Sequence, residues 1–163
     1  MAKIKLPRGI RNCNPLNIRR SPHNRWLGEV DYKETHKEFN GQQCETREYD
    51  RTFCQFNCME QGYRAAAILL HRYIKNGHNT YEKIISRWAP ANENNTAGYV
   101  GRVVDYCVAA PDMIVNFCAE DILPLMAAMT IVENGPQYDP FDNNNELLKD
   151  LQGGFRLAEN YVL

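Results

Sequence analysis

Apolar residues recur at three- and four-residue spacing through most of the chain after Asn57, and this periodicity restricts that part to α-helices. The first helix is predicted from Asn57, which can cap it, to Gly77, where a glycine ends the run. Its apolar positions are Met59, Tyr63, Ala66, Ala67, Leu70, Tyr73 and Ile74. A second, short helix begins at Thr80 and ends before Pro90. Thr96 is the predicted cap of a third helix.

The fourth helix is predicted from about Glu120 to Glu133 and carries a carboxylate at its end. Pro124 fits this helix only in its first turn, and the pair 135–136 (Gly-Pro) stops it. A carboxylate at a helix C-terminus faces the negative pole of the backbone dipole. Apolar neighbours also withdraw Glu133 from water; they are Met129, Ile131 and Val132. Both effects raise the pKa of Glu133, as a general acid in glycoside cleavage requires.

The first third of the chain lacks helical periodicity. Turn-forming residues across positions 7–20 predict a structured loop without regular elements. Aromatic and β-branched residues across 26–56 flank Asn40 and Gly41, a dipeptide that is typical of β-hairpins. A last, weaker helix follows caps at residues 143–145. The predicted fold class is therefore mostly α (α+β), with a small β-hairpin insertion.

Length and composition fit one globular domain: 163 residues, 44% apolar and 24% charged. We divide it into an N-terminal loop, a hairpin region and a helical core, at residues 1–25, 26–56 and 57–163. The net charge of −1 gives no overall attraction to nucleic acid or membranes. Residues 1–28 nevertheless carry seven basic and no acidic side chains. They either face an anionic polymer or form a solvated terminus whose arginines brace the loop.

No apolar run is long enough to span a bilayer, and the N-terminus lacks the apolar core of a signal peptide. We therefore expect synthesis in the cytoplasm, with access to the cell wall through lysis or as part of a particle. Six cysteines are present, and Cys54 and Cys58 follow Cys44 and His36. Because a paired CxxC spacing is missing, thiols are favoured over a zinc site, and we expect neither metal nor cofactor.

The segment RGIRNCNPLNIRR (residues 8–20), followed by Trp-Leu-Gly at 26–28, resembles the RGIRNNNPGNIR…WxG signature of a lysozyme-like family. That family is found in phages and prophages, often as virion-associated proteins to which peptidoglycan degradation is attributed. Later blocks at residues 53–73, 84–100 and 126–135 match it in the same order. The resemblance implies a lysozyme-like helical domain that acts on peptidoglycan, with phage virion proteins as further partners.

The chain departs from this pattern at Cys13, at Leu16 and in a longer insertion across residues 31–50. If the glycine usually found at position 16 has a positive φ, leucine would alter the loop there. In flagellar-type glucosaminidases a helix ending in Glu-Ser-Gly precedes the loop and hairpin, whereas here the Glu-Asn-Gly helix comes late. We hypothesise a circularly permuted order, in which Glu133 is the general acid and Tyr99 the tyrosine lining the cleft. This order requires Glu133 to lie close to Asn17 and Tyr99.

Glycoside cleavage also needs a group that stabilises or traps the cationic sugar. If this group is a second carboxylate, Glu29 is the first choice, with Asp31 and Glu38 behind it and Glu34 and Asp50 as further candidates. A lytic transglycosylase needs none, because a hydroxyl or N-acetyl group of the sugar traps the cation. The candidate sugar-binding residues are Asn17, Trp88, Asn95, Tyr99 and Gln137.

Structural roles compete with these assignments. Trp88 continues an apolar helix face, the asparagines near position 95 suit loops and caps, and Glu133 can be a solvated residue. The favoured function is a peptidoglycan-cleaving glycosidase, of lysozyme or lytic transglycosylase type. The alternative is a non-catalytic phage structural protein that binds cell-wall glycan or other virion proteins. Nucleic-acid binding ranks last because no recognisable reading helix is present.

Overall fold

The computed structural model describes residues 4–31, 38–44 and 48–163, and in them the predicted mostly α fold is confirmed. Six α-helices follow in chain order: α1 (Arg8–Arg11), α2 (Met59–Lys75), α3 (Tyr81–Trp88), α4 (Thr96–Cys107), α5 (Ala119–Asn134) and α6 (Leu147–Val162). A short 3₁₀ helix, Pro136–Tyr138, follows α5. The strands are β1 (Glu29–Val30), β2 (Glu38–Phe39), β3 (Gln42–Gln43) and β4 (Gln55–Phe56).

Helix α2 is the centre of the helical part, and its most extensive helix contact is with α6. This approach depends on Gly154 of α6, because a Cβ there would lie 2.6 Å from the Cβ of Tyr63. Glycine at this position therefore lets the two helices pack closely. Helix α5 packs against α4, and its interior residues Leu125 and Met126 are fully buried.

The β part consists of two pairs of two-residue strands. Strands β2 and β3 form an antiparallel hairpin through Asn40 and Gly41, whose φ angles are +51° and +76°. Two positive φ angles in a two-residue loop are typical of the type I′ turn, so the predicted hairpin is confirmed. Strands β1 and β4 pair antiparallel, with Glu29 opposite Phe56. This second pair links the N-terminal loop to the start of α2.

The N-terminal loop differs from its prediction in one respect, because it contains the short helix α1. Position 16 carries no strain: the positive φ angles fall on Cys13 and Asn17, both at +54°. The side chain of Leu16 is fully buried in the core instead. Leucine at this position therefore adds packing, and the loop conformation is set at the neighbouring positions.

Three predicted helix caps are displaced, and that of α6 is Glu146 rather than one of residues 143–145. The cap of α2 is Cys58 rather than Asn57, and the cap of α4 is Asn95, whose side chain accepts a hydrogen bond from the Gly98 amide. Thr96 is the first helical residue, and its hydroxyl group donates to the carbonyl of Ala89. Adjacent Asn and Thr residues both suit caps, and the sequence alone did not rank them. The short helix predicted from Thr80 begins at Tyr81, and Thr80 is its cap, with a side chain that accepts a hydrogen bond from the Lys83 amide.

The expectation that Pro124 lies in the first turn of its helix is wrong. Helix α5 begins at Ala119, so the proline is in the second turn and leaves the Glu120 carbonyl without its helical donor. The helix continues because its apolar residues are buried around this point. Among the described residues, no helix is both long and apolar enough to cross a membrane.

Candidate active site

The carboxylate of Glu133 lies in the last turn of α5 and accepts two hydrogen bonds from distant parts of the chain. The Nδ2 of Asn17 donates to Oε1 at 2.9 Å, and the Tyr99 hydroxyl donates to Oε2 at 2.9 Å. Asn17 comes from the N-terminal loop, 116 positions away, and Tyr99 from α4. The structure therefore brings together the three residues on which the permutation hypothesis depends.

The N-terminal loop is fixed to the end of α5 by the residue that follows Glu133. Asn134 is buried, and its Nδ2 donates to the carbonyl of Pro15 at 2.8 Å. Gly9 of α1 lies against the same side chain, since a Cβ at Gly9 would come within 2.5 Å of the Asn134 Oδ1. Only glycine permits this approach, and it places Asn17 beside Glu133.

Asn14 holds the rest of this loop in place from within the core. Its buried amide donates to the carbonyls of Ile18 and Cys54, and its Oδ1 accepts from the Ile18 amide. These three hydrogen bonds of one buried side chain satisfy backbone groups in a loop that has no regular ladder of backbone hydrogen bonds. The Asn-rich character of the signature therefore has a structural cause, and it fixes the position of Asn17.

Burial raises the pKa of the Glu133 carboxyl, while the hydrogen bonds from Asn17 and Tyr99 offset part of that shift. The direction agrees with the sequence argument, in which withdrawal from water was one of the two causes. Burial, together with the nearby Glu133, holds the pKa of the Tyr99 hydroxyl well above its ordinary value. Tyr99 therefore remains a proton donor to the carboxylate at any pH of interest.

Glu133 opens onto a cleft of about 300 Å³. Aromatic rings make up much of its wall, namely Trp26, Phe53, Tyr73 and Trp88. Amide groups of Asn17, Asn24 and Asn94 add hydrogen-bonding capacity. Rings that stack and amides that bind hydroxyl or acetamido groups together suit a sugar polymer. Trp88 lines the cleft, and its Nε1 donates to the Leu16 carbonyl at 3.3 Å.

Three sequence-predicted site residues lie elsewhere. The side chain of Glu29 is 5% exposed and is paired with Arg20 at 3.0 Å, outside the cleft lining. Asn95 serves as the cap of α4. Gln137 is exposed on the 3₁₀ helix after α5. The structure gives Glu29 and Asn95 structural roles and does not bring any of the three into the cleft with Glu133.

Two of the further carboxylate candidates, Asp31 and Asp50, are engaged outside the cleft lining. Asp31 pairs with Arg20 and Arg25 at 2.8 and 2.9 Å. Burial tends to raise the pKa of Asp50, but hydrogen bonds from the backbone amides of residues 52–53 and other donors outweigh it and lower that pKa. Glu38 is exposed in β2, and Glu34 lies outside the described residues.

A carboxylate that sequence reasoning missed does line the cleft. Glu93 lies in the loop between α3 and α4, and its Oε2 is 3.4 Å from the Nη2 of Arg19. Both side chains are about half exposed. The surrounding asparagines and proline identified this segment as a loop, but nothing in its local pattern indicated that the loop folds over the cleft.

The segment considered for zinc gives no metal cluster in the part of the chain that is described. Cys44 and Cys54 are buried and Cys58 is exposed, while His36 is outside the described residues. Burial raises the pKa of the Cys54 thiol to about 12, which makes it a poor metal ligand or nucleophile.

Removal of the tyrosine hydroxyl is expected to raise the pKa of Glu133 further. In Tyr99→Phe the carboxylate loses one of the two donors that stabilise its charged form, so protonation becomes more favourable. A carbon-13 NMR titration of the glutamate carboxyls measures this directly. Tyr106→Phe is the matched control, because Tyr106 is on the same helix but donates to Asp139. An unchanged or lowered Glu133 pKa in Tyr99→Phe would contradict the assignment.

Comparison with known proteins points to phages. No protein-family model matches the chain. The chain is 32% identical over 151 residues to Protein P5 of Pseudoalteromonas phage PM2, an alignment that covers 91% of this chain and 82% of that protein.

Proposed function

The chain belongs to the same family as Protein P5 of Pseudoalteromonas phage PM2, and for this phage-related protein we propose the function of a peptidoglycan-cleaving glycosidase. The observation that carries the proposal is the Glu133 carboxyl, with its raised pKa, at the wall of a cleft lined by aromatic rings and amides. Glu133 donates a proton to the oxygen that leaves when the bond between two amino sugars breaks.

The surroundings of Glu133 support this role. Asn17 and Tyr99 fix the orientation of the carboxyl group, so that little freedom is lost when the sugar arrives. Desolvation keeps the proton available at a pH where an exposed glutamate would have lost it. The cationic sugar that forms is placed among aromatic faces rather than in bulk water.

The same contacts support a permuted lysozyme-like fold. That hypothesis required Glu133, near the end of the chain, to lie close to Asn17 near its start and to Tyr99. Both side chains are within hydrogen-bond distance of the carboxylate. The loop therefore occupies the position that the proposed order requires, although it precedes the acid-bearing helix in the sequence.

The fate of the cationic sugar distinguishes two versions of the proposal. Glu93 is the other carboxylate lining the cleft among the described residues, and it could orient a water molecule for hydrolysis. Alternatively, the sugar's own hydroxyl group closes the ring without a second carboxylate, as in a lytic transglycosylase. Mass spectrometry of the muropeptides separates them: hydrolysis releases reducing ends, and transglycosylation releases anhydro-sugars.

The experiment that tests the proposal is digestion of purified sacculi by the wild-type protein. We expect soluble muropeptides of one of these two types. A protein that binds sacculi but releases neither would contradict cleavage. That outcome would favour a phage structural protein that binds cell-wall glycan or other virion proteins, a candidate supported by similarity to a phage protein whose name states no activity.

A further inference from the structure

A second groove, of about 260 Å³, lies behind one wall of the cleft. It is lined by three arginines and a histidine, namely Arg25, Arg64, Arg72 and His23, together with Ile68 and Tyr161. We call it the arginine groove. No carboxylate lines it within the described ranges of the chain. A cavity with this lining attracts anions.

Two of the arginines have no carboxylate partner among the described residues. Arg25 is paired with Asp31 at 2.9 Å, so its charge is largely neutralised. Arg64 and Arg72 form no ion pair with any described residue, and each guanidinium lies over an aromatic ring. The Cζ of Arg72 lies 5.1 Å from the ring centre of Trp26, and that of Arg64 lies 4.9 Å from the ring centre of Tyr161.

These ring contacts hold the guanidinium groups in place. A stacked arginine loses less rotational freedom on binding, and its N–H groups remain available at the edge of the plane. Arg72 also donates to the Asn24 Oδ1 at 3.2 Å. Both arginines project from α2 eight residues apart, which corresponds to about 12 Å along the helix. Ile68 lies between them and contributes an apolar surface.

The arginine groove and the cleft share a wall. Asn24 and Trp26 line both cavities, so a polymer lying in the cleft passes directly beside the two arginines. In peptidoglycan, peptide stems that carry free carboxylates branch from the glycan at alternate sugars. A planar carboxylate matches the fork of N–H groups on an arginine.

We propose that the arginine groove binds the carboxylates of peptide stems attached to the glycan in the cleft. This inference rests on the proposed function, and it adds a preference: peptide-bearing glycan is bound more tightly than an unbranched amino-sugar polymer. Phosphate groups of lipids would also be attracted to these arginines. The shared wall favours a group that is covalently attached to the glycan.

The test measures binding separately from cleavage. Glu133→Gln protein is sedimented with intact sacculi, with glycan strands stripped of peptides by an amidase, and with anionic lipid vesicles. Adding Arg64→Gln and Arg72→Gln should weaken binding to intact sacculi by about tenfold or more, because hydrogen bonds to charged groups are lost. Binding to stripped strands should not change. Arg156→Gln, an exposed arginine of α6 outside the groove, is the matched control.

A change in the ligand gives a second measurement that does not depend on how the variants fold. Sacculi whose stem carboxyls have been amidated should bind the Glu133→Gln protein about tenfold or more weakly than unmodified sacculi do. Equal binding to amidated and unmodified sacculi would overturn the proposal. An equal loss on stripped strands would also overturn it, and a loss confined to vesicles would assign the groove to lipid phosphates.

The two proposals fail separately. If wild-type protein releases no muropeptide, the glycosidase is contradicted, while binding that depends on the stem carboxylates still supports the arginine groove. If cleavage occurs but binding does not depend on the stem carboxylates, only the proposed role of the arginine groove is contradicted.

Discussion

Glu133→Gln is expected to reduce muropeptide release by roughly 10²–10⁴-fold, the usual contribution of a positioned general acid. Glutamine has nearly the same shape and can still accept the hydrogen bond from Asn17, but its amide cannot deliver a proton to the leaving oxygen. The rate of reducing-end or anhydro-sugar formation from purified sacculi is the measurement.

Glu120→Gln is the matched control for this variant. Glu120 is on the same helix but is exposed in the first turn, far along the axis from Glu133. The Glu120→Gln variant should digest sacculi at the wild-type rate. Equal activity of the Glu133→Gln and wild-type proteins would exclude Glu133 as the acid and with it the proposed chemistry.

The pH dependence of the stability of Glu133→Gln tests whether the pKa of Glu133 is raised in the folded protein. Because the folded pKa of Glu133 is raised, its contribution to stability is fully present below the unfolded pKa, about 4.3, and is lost as the pH rises through the folded value. Relative to wild type, the variant should therefore become more stable between about pH 4 and pH 7. Thermal unfolding at both pH values measures this, and the opposite trend would contradict the raised pKa.

The position of the acid was predictable because its signals are local. An apolar run, a glutamate and a Gly-Pro stop lie within a few residues, and the helix ends one residue beyond the predicted one. The Asn40–Gly41 hairpin was predictable for the same reason. By contrast, the environment of Glu29 depends on Arg20, which reaches it through tertiary packing, and the sequence did not indicate that pairing.

The N-terminal loop could be predicted only in part. The sequence there resembled a known signature, but the structural reason for each residue appears only in three dimensions. Asn17 adopts a φ of +54°, which asparagine tolerates better than most residues, and this backbone turn directs its amide to Glu133. Cys13 adopts the same φ of +54°. Leu16, by contrast, does not need a positive φ.

Gly62→Ala is expected to lower the free energy of unfolding by about 1–3 kcal/mol, the cost of overpacking a buried contact. Gly62 is on the buried face of α2, where a Cβ would lie 2.0 Å from the carbonyl oxygen of Cys13 and 2.9 Å from the Cδ of Pro15. The Cys13 carbonyl can move away from this Cβ only if the N-terminal loop shifts. The displaced segment leads to Asn17, so muropeptide release should fall as well, even where the variant remains folded.

Gly101→Ala provides the matched control for this effect. Gly101 is also in the interior of a helix, α4, but a Cβ there would meet nothing within 4 Å. The substitution should leave activity unchanged and should stabilise the helix by up to about 1 kcal/mol, since alanine is the better helix former. Chemical denaturation of the two variants isolates the steric contact from helix propensity. If Gly62→Ala matched Gly101→Ala, the loop would not be held against α2, and Asn17 would lack the support that positions it beside Glu133.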